Sequence, residues 1–201
     1  MYKRCLKRCI DIIVSLCGII VLSPIMLVVA MITKFDSPGP IIFKQKRVGI
    51  NKSYFNIYKY RSMKIDAPHD IPTHELKDPS IMMTKWGAFI RKTSLDELPQ
   101  LFNILKGDMS IVGPRPALWN QYDLIEERDK YQANDIRPGL TGWAQVQGRD
   151  ELEIPVKAKF DGEYISNVSF IFDIKCFLMT IGVVATSKGV VEGGTGSMGG
   201  N

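Results

Sequence analysis

Residues 19–29 read IIVLSPIMLVV, an apolar run that Ser23 and Pro24 interrupt at its centre. From residue 12 to residue 32 the chain carries no charged side chain, and about 20 apolar residues suffice to cross a hydrocarbon core roughly 30 Å thick. Proline lacks a backbone donor and disfavours helical geometry at the residue before it, so we expect a bend at Ser23–Pro24. The run therefore predicts a membrane helix that is broken near its middle.

The lengths of the two arms favour a re-entrant segment, which enters and leaves the membrane on the same side. At about 1.5 Å per residue, arms 11–22 and 25–32 each reach roughly half of the membrane thickness. Lys and Arg prefer the cytoplasmic side, and they flank both ends of the run. The flanking residues are Lys3, Arg4, Lys7 and Arg8 before the run and Lys34, Lys44, Lys46 and Arg47 after it. A kinked helix that spans the membrane stays open, whereas a signal peptide is disfavoured because no small-x-small cleavage site follows.

The composition allows one globular domain beside the membrane segment and favours an anionic partner. Among 201 residues, 26 Lys and Arg exceed 21 Asp and Glu, which gives a formal net charge of +5. This balance suits nucleic acid, lipid headgroups or a phosphorylated substrate, and charge alone does not choose among them. The four cysteines form no C-x-x-C pair, which predicts reduced thiols. His69 and His74 lie in a polar, proline-rich loop and are interpreted as surface residues.

The soluble part predicts an α+β fold that is mostly helical and has a small β-hairpin. Residues 41–48 and 54–63 alternate in the manner of strands around the turn GINKS at 49–53. The stretches that predict helices are 81–92, 98–107, 151–167 and 169–184. Some of these helices are amphipathic and are expected to lie at the membrane interface.

Three regions follow along the chain. A membrane helix with its basic flank occupies residues 1–34, a cytoplasmic domain occupies 35–188, and a glycine-rich tail occupies 189–201. The tail has too few apolar side chains to pack into a core, so it is expected to be disordered.

SLDELPQ, residues 94–100, holds the highest density of chemically useful side chains. Asp96 and Glu97 lie near the start of a predicted helix that ends at Gly107, and Ser94 is placed to form a capping box. The predicted apolar face of this helix consists of Leu98, Leu101, Phe102 and Leu105. Exposed amides and the helix dipole should keep both carboxylates ionised.

An ionised carboxylate pair beside Arg91 and Lys92 can hold a divalent metal or attack phosphorus. The alternative is that acidic residues simply favour the first turn of a helix. Pro99 is expected to distort that first turn or to delay the start of the helix.

Two stretches rich in glycine, proline and arginine are candidate phosphate-binding segments. In IVGPRP, residues 111–116, two prolines stiffen the backbone around Arg115, and a preorganised guanidinium suits bidentate phosphate binding. RPGLTGWAQVQGR, residues 137–149, would offer backbone amides together with Arg137 and Arg149. Neither stretch contains the G-x-G-x-x-G or P-loop pattern, so no standard nucleotide-binding fold is indicated.

The motifs, taken together and in order, resemble the bacterial sugar transferase family, also called the monotopic phosphoglycosyl transferases. They are KRCIDI ahead of the interrupted apolar run, GPIIFKQKRVG, YKYRSM, RKTSLDELPQLFNILKGDMSIVGPRP and RPGLTGWAQVQGR. The resemblance covers residues 3–185, and the chain length matches the small form that contains only the catalytic unit.

The resemblance implies a monotopic enzyme of the bacterial inner membrane, with a re-entrant helix broken at Ser23–Pro24 and a catalytic domain on the cytoplasmic face. It implies transfer of a sugar 1-phosphate from a UDP-sugar to a polyprenyl phosphate such as undecaprenyl phosphate, with release of UMP and a requirement for Mg2+. Membrane lipid is a further expected partner, nucleic acid is not expected, and a homodimer is left open. The sugar itself is not legible from one chain.

The family pattern places a catalytic pair on Asp96 and Glu97. The candidate substrate-binding residues are Lys59, Arg91, Arg115, Arg137, Arg149 and Asp173. We expect Asp96 to attack the phosphate that bears the sugar, expel UMP and form a phosphosugar ester that the lipid phosphate captures. Glu97 would help to hold Mg2+, while Arg91 and Arg115 would offset charge on the phosphates.

Two alternatives stay open. In the first, the lipid phosphate attacks directly in a ternary complex and Asp96 only binds metal. In the second, the protein is a membrane-attached module that binds anionic lipid or nucleic acid without turnover. A binder of polyanions has no use for a carboxylate pair among its arginines, so SLDELPQ argues against the second alternative.

Overall fold

The computed structural model describes residues 2–68, 79–148 and 152–186. The predictions for His69, His74, Arg149 and the tail 189–201 lie outside the described residues. The helices are α1 (Lys7–Asp36), α2 (Pro79–Met82), α3 (Lys85–Lys92), α4 (Gln100–Lys106), α5 (Tyr122–Asp129), α6 (Trp143–Gln147), α7 (Ile154–Asn167) and α8 (Phe170–Thr186). The strands are β1 (Ile42–Val48), β2 (Tyr54–Tyr60), β3 (Ser110–Val112) and β4 (Gly139–Thr141). The predicted mixture of helices with a small amount of sheet is confirmed.

α1 is one continuous helix that contains Pro24. The predicted break at Ser23–Pro24 is therefore not an interruption of the helix, and the predicted bend there stays a prediction. Pro24 has no amide hydrogen, so the Ile20 carbonyl loses its usual helical donor. The Ser23 hydroxyl donates to that carbonyl instead, at 2.8 Å. The Ser-Pro pair thus satisfies the carbonyl that the proline leaves without its amide donor.

One stripe of α1 is buried along the whole length of the helix. Its buried residues are Asp11, Ser15, Met26, Val29 and Thr33. In the first half, Asp11 accepts hydrogen bonds from the Ser110 hydroxyl at 3.1 Å and the Ile111 amide at 2.9 Å. In the second half, the Tyr60 hydroxyl donates to the Met26 carbonyl at 2.9 Å. Both halves of α1 therefore pack against the same body.

The other faces of α1 are apolar and exposed. Val21 and Phe35, for example, are 72% and 87% exposed. Within the described ranges, α1 is the one helix long and apolar enough to cross a membrane, with a mean hydropathy of 2.9 in its most apolar window. α8 also exposes apolar side chains, among them Ile171 and Leu178. Both α1 and α8 therefore expose large apolar surfaces.

β1 and β2 form the predicted antiparallel hairpin, in which each residue of β1 faces one residue of β2. Asn103 of α4 is fully buried against the other edge of β2. It accepts a hydrogen bond from the Tyr58 amide at 2.9 Å and donates one to the Asn56 carbonyl at 2.8 Å. These bonds fix α4 beside β2 and bring the segment before α4 next to Lys59.

β3 and β4 form a parallel pair that the sequence patterns did not predict. Beyond β3, the Gly113 amide donates to the Thr141 carbonyl and the Gly139 amide donates to the Pro114 carbonyl, each at 2.8 Å. A Cβ atom added to Gly113 would lie 2.6 Å from the Arg137 carbonyl oxygen, so the two backbones approach too closely for a side chain. The two glycine-rich motifs thus bond to each other. The Gly139 amide was expected to be available to a polyanion, but it donates to the Pro114 carbonyl instead.

Candidate active site

A single 3-10 turn, Leu95–Glu97, carries the carboxylate pair between α3 and α4. Ser94 precedes it with a left-handed backbone (φ 56°), and its side chain forms no cap, so the predicted capping box is wrong. α4 begins only at Gln100, after Pro99, in agreement with the expected delay. It ends at Gly107, whose φ of 99° suits glycine, as predicted.

The buried face of α4 differs from the predicted apolar face. Leu101 is buried as expected, whereas Phe102 is 45% exposed. Ile104 and the polar Asn103 are fully buried in its place. Asn103 faces inward because it bonds to the backbone of β2, and its neighbour Phe102 lies about 100° further round the helix.

Glu97 is held by two cations. Lys59 Nζ lies 2.8 Å and Arg115 Nη2 lies 2.9 Å from the same oxygen, Glu97 Oε1. Burial alone would raise the pKa of Glu97, but the charges and hydrogen bonds of Arg115 and Lys59 outweigh it and hold the pKa well below its usual value. Glu97 is therefore an ionised carboxylate with one oxygen engaged.

Asp96 has a different environment from its neighbour. It is 5% exposed, and no described residue donates a hydrogen bond to its carboxylate. Burial raises the pKa of Asp96 against the opposing charge of Lys59, and the charge of Glu97 adds to the increase. Arg91 and Arg115 also oppose this increase. The carboxylate thus lies among cations without being bonded to them, and its pKa direction differs from the expected stabilisation by a helix terminus.

Lys59 is close enough to both carboxylates to interact with their charges. It comes from β2, and burial lowers the pKa of its ammonium group although Glu97 and Asp96 both favour the charged form.

The structure brings together five of the predicted site residues around the carboxylate pair. They are Lys59, Arg91, Asp96, Glu97 and Arg115.

The loop around Arg115 is fixed by backbone contacts on several sides. Arg47 donates to the Pro116 carbonyl at 2.9 Å, and the Val48 amide donates to the Ala117 carbonyl at 3.0 Å. On the other side, Arg128 Nη1 donates to the carbonyl of Arg115 itself at 2.9 Å. These contacts fix the backbone that carries Arg115, while the preorganised guanidinium stays a prediction.

Arg128 is in turn held by a buried carboxylate that the sequence patterns did not reveal. Its guanidinium lies 2.6 Å from Asp161 Oδ2, and the two side chains are 4% and 1% exposed. Arg128 belongs to α5 and Asp161 to α7, so no local spacing connects them. The pair links two helices to the backbone that carries Arg115.

Two other predicted substrate-binding residues have partners elsewhere. Arg137 is exposed and donates to the carbonyl of Gly107 at the end of α4, at 2.9 Å. Asp173 accepts hydrogen bonds from Lys7 Nζ at 2.6 Å and from the hydroxyls of Tyr164 and Tyr2. Neither residue bonds to the carboxylate pair. Their roles in substrate binding stay predictions.

The carboxylate pair also fits a divalent cation. Both cations on Glu97 bond Oε1, which leaves Oε2 and the Asp96 carboxylate as hard oxygen ligands. Mg2+ is commonly bound through one or two carboxylates together with substrate phosphates and water. The described part of the chain contains no group of three or more His, Cys, Asp or Glu residues that could hold a metal ion.

An apolar groove opens beside Glu97, between α1 and α8. Its cavity volume is about 300 Å3. The residues that line it include Val14, Gly18 and Leu22 of α1, Leu101 of α4, Val146 of α6 and Phe177 of α8. The groove therefore joins the carboxylate site to the two helices that expose most apolar surface.

The family model of bacterial sugar transferases matches residues 2–187 of the chain. The chain belongs to the bacterial sugar transferase family. The match includes α1, the carboxylate pair and both glycine-rich motifs, so the site described above lies within the family domain.

Three relatives of this bacterial sugar transferase indicate the range of the family. The UDP-glucose:undecaprenyl-phosphate glucose-1-phosphate transferase of Escherichia coli K12 is 41% identical over 188 residues, which are 89% of this chain and 40% of that protein. The UDP-N-acetylgalactosamine-undecaprenyl-phosphate N-acetylgalactosaminephosphotransferase of Aeromonas hydrophila is 38% identical over 189 residues, 92% of this chain and 44% of that protein. The exopolysaccharide production protein PSS of Rhizobium leguminosarum bv. phaseoli is 41% identical over 188 residues, 88% of this chain and 93% of that protein. The chain thus spans less than half of the first two relatives and nearly all of the third.

Proposed function

We propose that this bacterial sugar transferase moves a sugar 1-phosphate from a UDP-sugar to undecaprenyl phosphate and releases UMP. The observation that carries the proposal is the buried Asp96 carboxylate, which lies among Lys59, Arg91 and Arg115 without a hydrogen bond from any described residue. Relatives named for glucose and for N-acetylgalactosamine transfer support the reaction class and leave the sugar open. The product, a polyprenyl diphosphate sugar, would begin the assembly of a polysaccharide or other glycoconjugate at the membrane.

The first step forms a covalent intermediate on Asp96. One carboxylate oxygen bonds to the phosphorus that carries the sugar, while the bond from this phosphorus to the bridging oxygen of the diphosphate breaks. The electron pair stays on the bridging oxygen, which leaves as a phosphate oxygen of UMP. Because no protein hydrogen bond disperses the charge of Asp96, the carboxylate is poised to attack.

The second step regenerates the carboxylate. A phosphate oxygen of the lipid attacks the same phosphorus, and the bond between Asp96 and phosphorus breaks. The lipid phosphate is already an anion at neutral pH, so this attack requires no general base. Lys59 and Arg115 hold Glu97 in place, and Arg91 and Arg115 offset the charge that develops on the transferred phosphate.

Asp96 and Glu97 also support a requirement for Mg2+. The Asp96 carboxylate and Glu97 Oε2 would hold the ion together with the donor phosphates. When bound, Mg2+ would neutralise charge on the diphosphate and favour departure of UMP. Because Lys59 and Arg115 both bond Glu97 Oε1, the second oxygen, Oε2, is left to bind the ion.

The placement in the membrane is part of the proposal. α1 is a re-entrant segment, and the domain lies on the cytoplasmic face. Support comes from the packing of both halves of α1 on one body, since a helix that crossed the bilayer would carry one half away from it. Arg8 at one end donates to the Ile104 and Leu105 carbonyls, at 2.6 and 2.9 Å, which keeps that basic flank beside α4. Exposed apolar residues of α8 would rest at the membrane interface.

Release of UMP tests the proposed function. The detergent-purified protein would be incubated with Mg2+, undecaprenyl phosphate and a panel of UDP-sugars, beside an Asp96→Asn variant. We expect release with at least one sugar, dependent on lipid over many turnovers and lost in the variant. Absence of release with every sugar, while both proteins bind anionic vesicles equally, would instead favour a membrane-attached binding module.

A further inference from the structure

The groove between α1 and α8 combines a polar end with apolar walls. Glu97 and Ser94, from the turn that carries Asp96, contribute to its lining, and Thr141, Gln145 and Thr180 are its other polar lining residues. Away from this end, the walls consist mainly of apolar side chains such as Val14, Leu101 and Phe177. A ligand that fills the groove must therefore be apolar over most of its length and anionic or polar at one end.

The position of the groove restricts its occupant further. Two of its walls are α1 and α8, whose outer faces expose apolar side chains such as Val21 and Leu178. A water-soluble donor would gain nothing from walls of this kind, because its sugar and nucleotide are polar on every side. An amphiphile that already resides in the bilayer reaches the groove without leaving its apolar surroundings.

We propose that the α1–α8 groove holds the isoprenoid units next to the phosphate of the lipid acceptor. This inference rests on the proposed function, since it assigns the acceptor to one place in the same site. The phosphate then lies at the end near Asp96, within reach of the phosphosugar ester. A volume of about 300 Å3 is at the lower end for ligand pockets, so the groove takes only the first units and the remaining chain stays in the bilayer.

The groove predicts how the acceptor chain length affects the enzyme. Apparent affinity should rise with each isoprenoid unit that enters the groove and change little once it is full. A series of polyprenyl phosphates, from a single isoprenoid unit upward, would be compared through KM for acceptor at saturating donor. An acceptor KM that falls evenly up to the longest chain would overturn the proposal, because bilayer partitioning would then explain the effect.

Gly18 offers a way to fill the groove from α1. A Cβ atom added there meets Leu101 Cδ1 at 3.4 Å, an ordinary contact, so a longer side chain extends along the wall. In Gly18→Leu we expect KM for undecaprenyl phosphate to rise about tenfold or more, with KM for the UDP-sugar unchanged. The plateau in the chain-length series should also move to fewer isoprenoid units.

Gly182 of α8 provides the matched control. A Cβ atom added there meets no atom within 4 Å, so Gly182→Leu makes the same change in helix propensity without entering the groove. Val146→Phe, on α6, is a second groove variant. If Gly18→Leu fails to fold, KM for undecaprenyl phosphate in Val146→Phe provides the same test. An unchanged acceptor KM in a folded groove variant, with active wild-type protein, would overturn the groove assignment alone. A wild-type protein that releases no UMP would instead overturn the proposed function.

Discussion

Asp96 and Asp173 are both buried aspartates near cations, yet among the residues that the structure describes only Asp173 accepts hydrogen bonds that link it to the rest of the fold. Asp173 is 7% exposed, and its carboxylate accepts hydrogen bonds from Lys7, Tyr164 and Tyr2. Asp96 is 5% exposed, and no described residue donates a hydrogen bond to it. Both side chains are buried close to cations, and the hydrogen-bond donors on Asp173 distinguish it from Asp96.

The difference separates two uses of the same side chain. The donors on Asp173 are Tyr2, Lys7 at the start of α1 and Tyr164 of α7, so this carboxylate joins the start of α1 and α7 to α8. A carboxylate without donors costs stability when buried, and a protein retains it where substrate or metal supplies the missing interactions. We therefore expect replacements at the two sites to have opposite effects on rate and on stability.

The largest expected effect is on catalysis in Asp96→Asn. UMP release should fall about 1,000-fold or more, because the amide cannot form the phosphosugar ester. The folded-state pKa of Asp96 is raised, so its carboxylate destabilises the fold at neutral pH, and the melting temperature should stay the same or increase. A large loss of stability together with the loss of activity would mean that Asp96 is a structural residue like Asp173.

A smaller loss of rate is expected when the support behind Arg115 is removed. Arg128→Met should reduce kcat roughly 100-fold, because the Arg115 backbone loses the donor that positions it. If Arg128 acts through Arg115, the same change in an Arg115→Ala background should cost less than about twofold. The double-mutant cycle would be measured per folded protein, with the melting temperature followed in parallel. Fully additive losses would show that Arg128 does not act through Arg115.

Asp173→Asn should show the reverse of Asp96→Asn. Loss of the ion pair with Lys7 is expected to lower the free energy of unfolding by about 1–3 kcal/mol. The kcat per folded protein should change little, since Asp173 bonds none of the described residues around the carboxylate pair. Thermal unfolding in detergent and steady-state kinetics would check both parts. A loss of kcat at unchanged stability would support the predicted substrate-binding role of Asp173 instead.

The pH dependence should distinguish the two neighbouring carboxylates Asp96 and Glu97. Only ionised Asp96 attacks phosphorus, so kcat/KM for donor should fall as pH falls through the raised pKa, above the ordinary value of 3.8. Glu97 has a lowered folded-state pKa, so its contribution to stability is present above its unfolded pKa and is lost as pH falls through the folded pKa. Rate should therefore decline at a higher pH than stability does. Coincident declines would contradict the assignment of separate roles.

Local signals predicted the features that depend on short stretches of chain. The hairpin followed from alternation around GINKS, and the end of α4 followed from Gly107. The parallel pairing of β3 with β4 joins segments almost 30 residues apart, and Asn103 is buried only because β2 lies beside it.

In the candidate site, too, local motifs predict some features, whereas others depend on contacts between distant segments. Asp96, Glu97 and Arg115 were predicted from their own motifs, and the structure places them together. The contact between Arg128 and Asp161 depends on the packing of α5 against α7, so no pattern in the sequence indicates it. The donors that distinguish Asp173 from Asp96 likewise come from distant parts of the chain.

The most direct test of the central claim is the mass of the protein after rapid mixing with the UDP-sugar identified by UMP release and Mg2+, without lipid acceptor. The account predicts one added sugar phosphate on the peptide that contains Asp96, one equivalent of UMP, and loss of the adduct when undecaprenyl phosphate is added. Asp96→Asn should show no added mass. Release of UMP only when donor and lipid are both present, with no adduct at any quench time, would contradict the account and favour direct attack by the lipid phosphate.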